Sequence, residues 1–469
     1  MKTARNLITF TALLLMPLTV LFAGEKSTSA GKPNIIFILA DDLGWTDLGC
    51  FGSKYYETPN LDRLASQGMR FTDAYSSCTV CSPSRASILT GQYPARLHIT
   101  DWIPGYARPK SKLLMPGWTR YLPLETMNIA KALKPAGYVS ASIGKWHLGG
   151  EQYYPDKQDF DLNIAGTHAG QPLTYFSPYK IETLQEDPDG QPYLTDRLTA
   201  EALKFIENNQ SRSFFLYLPH FAVHTPLMAK PEVVRKYLKK ADPKAPQNNP
   251  TYAGMVEGVD DSVGAILRKL DELKLVGNTI VIFTSDNGGL LASGQKNITS
   301  NVPLRAGKGS AYEGGVRVPL IIKWPGVTKP GSVSAAPVIG ADFYPTMLAM
   351  AGAANAARHV VDGENLEPVL RRTGALNREA IYWHYPHYHP GGAKCYGAIR
   401  EGDFRLIEFY EDNHVELYQL KDDIGEQQNL AGKLPDKAAA LRQKLHEWRQ
   451  RVGAQMPTPN PDYDPQNPG

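Results

Sequence analysis

Four apolar, β-rich runs along this chain each end in polar residues that can do chemistry. Ile35 to Ala40 ends in Asp41-Asp42, and Val139 to Ile143 ends in Gly144-Lys145-Trp146-His147. Phe214 to Leu218 leads to His220 and His224, and Thr279 to Thr284 ends in Ser285-Asp286-Asn287-Gly288. None of the runs alternates apolar with polar, which predicts strands buried on both faces, as in a parallel sheet. Helical patterning fills the spaces between. Thr58-Pro59 opens a helix that Gly68 closes, while Thr195 to Asn209, Tyr252 to Leu273 and the short Phe343 to Ala351 repeat at 3.6 residues. Alternating strands and helices predict a doubly wound α/β fold. Ligands in such sheets gather beyond the carboxyl ends of the strands. The four polar termini are therefore expected to meet at one edge.

After about residue 375 the texture changes. Ala380 to Trp383, Tyr396 to Arg400, Phe404 to Phe409 and Val415 to Gln419 are short strands with turns between, and a helix runs from Asp436 to Arg451. This predicts a smaller antiparallel α+β subdomain over 376–469. Its tail from Pro457 is rich in Pro, Asn and Asp, and is expected to be loop or disordered. There is no internal repeat. At the other end, Lys2 and Arg5 precede an apolar run from Leu7 to Phe22. That reads as a signal peptide over 1–23, cleaved near Ala23, with no stable membrane anchor. The catalytic unit then spans 24–375, and the protein is expected to be exported, to the periplasm or the medium.

Composition narrows the function by exclusion. The 469 residues are 42% apolar and 21% charged, and 50 bases against 47 acids leave a net charge of +3. No Lys/Arg-rich block is present, so nucleic acid is not an expected partner and any anion must be held locally. The four cysteines (Cys50, Cys78, Cys81 and Cys395) are too few for a disulfide scaffold. Asp41, Asp42, Asp286 and Asn287 offer hard oxygen donors, which suit Ca²⁺, with Mg²⁺ as the alternative, rather than a transition metal.

The stretch Cys81-Ser82-Pro83-Ser84-Arg85-Ala86-Ser87-Ile88-Leu89-Thr90-Gly91 resembles the signature of the formylglycine-dependent type I sulfatases of the alkaline phosphatase superfamily. Partner motifs follow in the family's order. They are Gly144-Lys145-Trp146-His147-Leu148-Gly149, His224-Thr225-Pro226, and Leu304-Arg305-Ala306-Gly307-Lys308-Gly309. The resemblance covers about residues 32 to 455 and implies an alkaline-phosphatase-like α/β fold. It also implies that a maturation enzyme oxidises Cys81 to formylglycine, whose hydrate attacks the sulfur of a sulfate ester. By the same resemblance Asp41, Asp42, Asp286, Asn287 and the modified Cys81 surround one divalent cation. Arg85 holds the nucleophile and the ligand carboxylates, and Lys145, His224 and Lys308 contact the sulfate. His147 takes a proton during sulfate release, and His224 protonates the departing alcohol.

Fixed cations in a water-poor site suit a reaction that moves charge onto the leaving and equatorial oxygens. His98, Asp101, Trp102 and Arg108, with His384, His387 and His389, are candidates for the substrate rim, and His220 for the pocket lining. Aromatic and polar groups there suit a sugar, so a sulfated carbohydrate is the expected substrate. The rivals are a phosphodiesterase or phosphonate monoester hydrolase of the same superfamily, a catalytically silent carbohydrate-binding relative, and a Cys78/Cys81 redox protein.

Overall fold

In the computed structural model, residues 32–186, 192–294 and 296–466 are described; the expected signal peptide lies outside them. The strands and helices that position the site are, in chain order, β1 (Asn34–Ala40), α1 (Pro59–Gln67), β2 (Met69–Phe71), α2 (Cys81–Thr90), β3 (Val139–Ile143) and β4 (Leu162–Ile164). Then come α3 (Leu194–Asn208), β5 (Phe214–Pro219), α4 (Pro250–Glu272), β6 (Thr279–Ser285), β7 (Leu320–Lys323), β8 (Ser332–Ser334) and α5 (Phe343–Met350). The last are β9 (Ala380–Tyr385), β10 (Tyr396–Glu401), β11 (Phe404–Phe409), β12 (Val415–Gln419) and α6 (Pro435–Val452).

The main sheet has the order β8-β2-β7-β6-β1-β5-β3-β4. β1 pairs in parallel with β5 and β6, and β7 runs antiparallel to both its neighbours. The apolar runs behave as their lack of alternation requires. All seven residues of β1 are buried, but alternate ones feed different cores. Ile36 and Ile38 pack with Leu61, Leu198 and Val263 of α1, α3 and α4. Ile35, Phe37 and Leu39 pack with Ala86, Leu89 and Phe343 of α2 and α5. Helices therefore cover both faces, and the strands need no polar side until they end.

β9 to β12 form the second, antiparallel sheet. Its Trp383, Tyr385 and Tyr396 share a core with Tyr75, Cys78 and Val80, on the approach to α2, and with Leu445 and Trp448 of α6. The small sheet thus buttresses the segment that carries Cys81. Up to residue 466 the tail is mostly loop, one of the two expected readings, and the loop is pinned. Thr458–Pro459 pairs with Leu113–Leu114, and Asn460 Nδ2 donates to the carbonyls of Pro109 (2.9 Å) and Ser111 (2.7 Å). A Pro/Asn-rich composition disfavours regular structure but leaves side-chain amides free to pin a loop. Among the described residues no helix is long and apolar enough to cross a membrane.

Candidate active site

The carboxyl ends of β1, β5 and β6 are stitched together by backbone bonds. Asp41 N donates to Ala222 O (2.9 Å), Val223 N to Asp41 O (2.8 Å), and Asp286 N to Ala40 O (3.2 Å). These bonds hold the two acidic pairs side by side, although 245 residues separate Asp42 from Asn287. Asp42 has a φ of 61°. That left-handed turn, one in which Asp is over-represented, lets successive carboxylates leave the same strand end.

α2 delivers the signature. Cys81 is its first residue and Arg85 lies one turn on, so both face the acids. The guanidinium is fully buried, and its Nε and Nη2 reach Asp286 Oδ2 at 2.9 and 2.8 Å. Nη1 donates to Lys145 O at 2.9 Å, which ties the end of β3 to the helix. Lys145 Nζ lies 2.6 Å from Asp41 Oδ2. Lys308 Nζ lies 2.8 Å from Asp42 Oδ1 and 3.5 Å from Cys81 Sγ. Three acids (Asp41, Asp42, Asp286) thus face three bases (Arg85, Lys145, Lys308).

Burial dominates the electrostatics. It raises Asp41, with help from Asp286, against the pull of Lys145 and Arg85. Burial also opposes ionisation of Asp42, but Lys308 and His224 outweigh it and hold that carboxyl well below its usual range. Burial pushes the Cys81 thiol up to about 11 in spite of Lys145 and Lys308. An unmodified Cys81 is therefore a protonated thiol near neutrality, a poor nucleophile.

His147 is held well below its ordinary value by burial and by Lys145. Its Nε2 lies 2.5 Å from Ile103 O, an acceptor, so Nε2 carries the proton and Nδ1, which has no partner among the described residues, presents a lone pair. Burial and Lys308 bring His224 down to about 3. Its Nδ1 donates to Thr225 O (2.8 Å), and its Nε2 faces Asp42 Oδ2 at 3.5 Å.

Ligand atoms of Asp41, Asp42, Cys81 and His224 all lie within 4.8 Å of one another. Asp286 stands against that group, with Oδ2 accepting from Arg85 (2.9 Å) and Oδ1 from the Asp42 N–H (3.2 Å). Asn287 Nδ2 donates to Asp42 Oδ1 at 2.7 Å, while its buried Oδ1 has no partner among the described residues. An orphaned, buried carbonyl oxygen beside converging carboxylates fits a hard divalent cation.

A pocket of about 460 Å³ opens above, lined by Cys81, Trp102, His147, His224, Lys308 and His389, among others. Every sequence-predicted catalytic residue except Arg85 and Lys145 lines it, and those two lie beneath. The rim differs from expectation. His384 is buried on the outer side of β9, bonded to Tyr410 Oη (2.8 Å) and Gln455 O (2.9 Å). Asp101 is buried too, accepting from Tyr385 Oη at 2.7 Å, and His387 bonds Thr100 Oγ1 at 2.8 Å. His98 turns away to Gly453 O, and His220 to Ser262 Oγ. These side chains brace the walls and do not line the pocket. Gln171, Ile103 and Leu290 do line it, and they sit in loops with no periodicity that could have marked them.

Gly288 lets the acidic turn touch the Lys308 segment. A Cβ there would stand 1.8 Å from Gly314 O. Gly288→Ala is expected to destabilise the protein by about 1–3 kcal/mol, as overpacking does. Thermal unfolding should show the loss; an unchanged melting temperature would mean that the two segments part freely.

A doubly wound sheet with buried carboxylates, fixed cations and a protected thiol at its carboxyl edge defines a hydrolase for an anionic ester. Residues 33–353 match the sulfatase family, and 307–453 match the C-terminal region of N-sulphoglucosamine sulphohydrolase. The chain belongs to the sulfatase family, and it is a sulfuric ester hydrolase. A sulfatase of Formosa agariphila is 34% identical over 96% of this chain and 94% of its own. N-acetylgalactosamine-6-sulfatase of Sus scrofa is 36% identical over 77% of this chain and 70% of its own. The crystal structure of Ps i-CgsB in complex with k-i-k-neocarrahexaose superposes with a TM-score of 0.76, at 31% identity, over 92% of this chain and 94% of that one.

Proposed function

We propose that this enzyme hydrolyses a sulfate ester on a carbohydrate, using formylglycine made from Cys81 and one divalent cation, Ca²⁺ in first place. The gathering of Asp41, Asp42, Cys81 and His224 ligand atoms within 4.8 Å, in contact with Lys145 and Lys308, carries this reading. Asp41, Asp42, Asp286 and Asn287 Oδ1 would hold the ion. Ca²⁺ takes about 6–8 oxygen ligands in irregular cages, which suits four side chains plus ligand oxygens. Since three acids balance three bases, a divalent ion leaves a surplus of positive charge to meet the sulfate.

The hydrated aldehyde would supply the nucleophilic oxygen, and a bound cation would supply positive charge. The remaining work falls to the chain itself. Lys308, 3.5 Å from the Cys81 sulfur, holds a sulfate oxygen beside the nucleophile. Lys145 fixes Asp41 and adds a second positive charge. His147 Nδ1 is the free base that accepts a proton during release. His224 Nε2 carries a lone pair in the neutral ring, so it protonates a leaving alcohol only after taking up a proton itself. The names of the relatives support a sugar sulfate as substrate. Export behind residues 1–23 and a cellular maturation enzyme complete the reading.

Mass spectrometry of the peptide spanning residues 71–96 tests it. The enzyme from its own host is expected to carry an aldehyde at position 81 and to turn over a sulfate monoester far faster than a phosphate diester. A fully active enzyme with an intact Cys81 thiol would overturn the reading.

A further inference from the structure

A second pocket, of about 480 Å³, adjoins the first and shares His389 with it as a wall. The wall is anchored. His389 N donates to Ala393 O (3.0 Å), and Ala393 N donates to Gly309 O (2.8 Å), the residue after Lys308. The far side is built by the segment at Arg108 and Lys112, by Lys394, and by Tyr463 in the pinned tail. The site is therefore assembled from separate parts of the chain and is held by the Asn460 bonds described above.

Its charges are biased. Arg108, Lys112 and Lys394 line it, against Glu411 and Asp412. Glu411 and Lys394 pair with each other (2.8 Å), Tyr388 Oη also donates to Glu411 (2.8 Å), and Asp412 accepts from His414 Nδ1 (2.5 Å), so Arg108 and Lys112 face one further acid and leave the pocket net positive. Among the described residues Lys112 has no carboxylate within ion-pair distance, and both it and Lys394 are exposed. Arg108 sits over the Tyr388 ring at 5.6 Å. The half-exposed Tyr463, in a pocket with Arg108 and Lys112, offers what a charged sugar ring needs, apolar area for its C–H face and nearby donors for its anion. The volume falls within the range of small-ligand sites.

We infer that this pocket binds a second, sulfated sugar unit of the same substrate chain, next to the unit whose ester is cleaved. The inference rests on the proposed sulfatase reading and adds that the preferred substrate is a sulfated oligosaccharide or polysaccharide. Among the described residues His389 is the one lining residue the two pockets share, so a ligand whose sulfate meets Lys308 would cross this wall to place its next unit in the second pocket. Lys112 and Lys394 select for charge there and touch none of the reacting atoms.

The test uses the full-length, matured enzyme hydrolysing an aryl sulfate, with a sulfated neocarrahexaose as competitor. The Lys112→Ala/Lys394→Ala double variant is expected to need about tenfold more hexaose for half inhibition, the loss of one or two charged contacts. Its kcat/KM on the aryl sulfate should stay within about twofold, which also reports intact folding. The single Lys112→Glu should weaken inhibition at least as much as Lys112→Ala. Salt should shrink the difference, because the lysines are exposed. The desulfated hexaose should inhibit wild type weakly. Unchanged inhibition in the double variant, or equal inhibition by the desulfated hexaose, would overturn this inference alone. A wild-type enzyme that releases sulfate from neither the aryl sulfate nor the hexaose would overturn the proposed sulfatase reading and this inference together.

Discussion

Cys81→Ala will abolish turnover while leaving the fold in place. Removing a nucleophile that acts with a set of preorganised partners costs about 10⁴-fold or more in kcat, and the residue left behind reflects the partners alone. The partners here do not depend on the sulfur. Arg85 is held by Asp286 and Lys145 O, and Lys308 by Asp42. Cys81 itself contributes one weak contact to Asp41 (3.8 Å) and the approach of Lys308. The variant should therefore keep its circular dichroism and much of its melting temperature. It should still bind a sulfated competitor. Wild-type rates in Cys81→Ala would remove the nucleophile assignment, and global unfolding would show that the residue is structural.

The second large effect concerns the cation. Chelation is expected to reduce the rate to near background, and Ca²⁺ to restore it. Three buried carboxylates and an orphaned Asn287 Oδ1 sit together beside the nucleophile. Without added positive charge, Lys145 and Lys308 must neutralise Asp41 and Asp42 rather than serve the sulfate. Stability should follow the same direction. A ligand at about 100 times its Kd stabilises the native state by about 2.7 kcal/mol, so the chelated protein should melt lower by several degrees. Undiminished activity in protein verified as metal-free would exclude the ion from the chemistry. Restoration by Mg²⁺ and not Ca²⁺ would reassign it, since Mg²⁺ demands tighter octahedral geometry.

Much of the frame was legible because each element carries its own signal. β1 and β6 are uninterrupted apolar runs, and their termination in Asp41-Asp42 and Asp286-Asn287 marked one edge of a sheet. The rim was not legible. His384 lies in β9 between Trp383 and Tyr385, whose rings face the shared core. Strand alternation therefore sends His384 to the opposite side, where the tail and Tyr410 cover it. A His- and Tyr-rich stretch reads as polar and exposed until one knows what packs on its outer face. Gln171 and Leu290 had no local signal at all.

The amino-acid sequence on its own determined the alternating α/β frame, the hard-oxygen donor set and the cysteine signature, because these follow from local periodicity and side-chain chemistry. Tertiary structure alone decided which polar side chains reach the ligand and which brace the walls. Cys81 and Lys308 meet across 227 residues of chain. Such meetings are set by how the strand ends and loops pack, and no periodicity within a single segment encodes them.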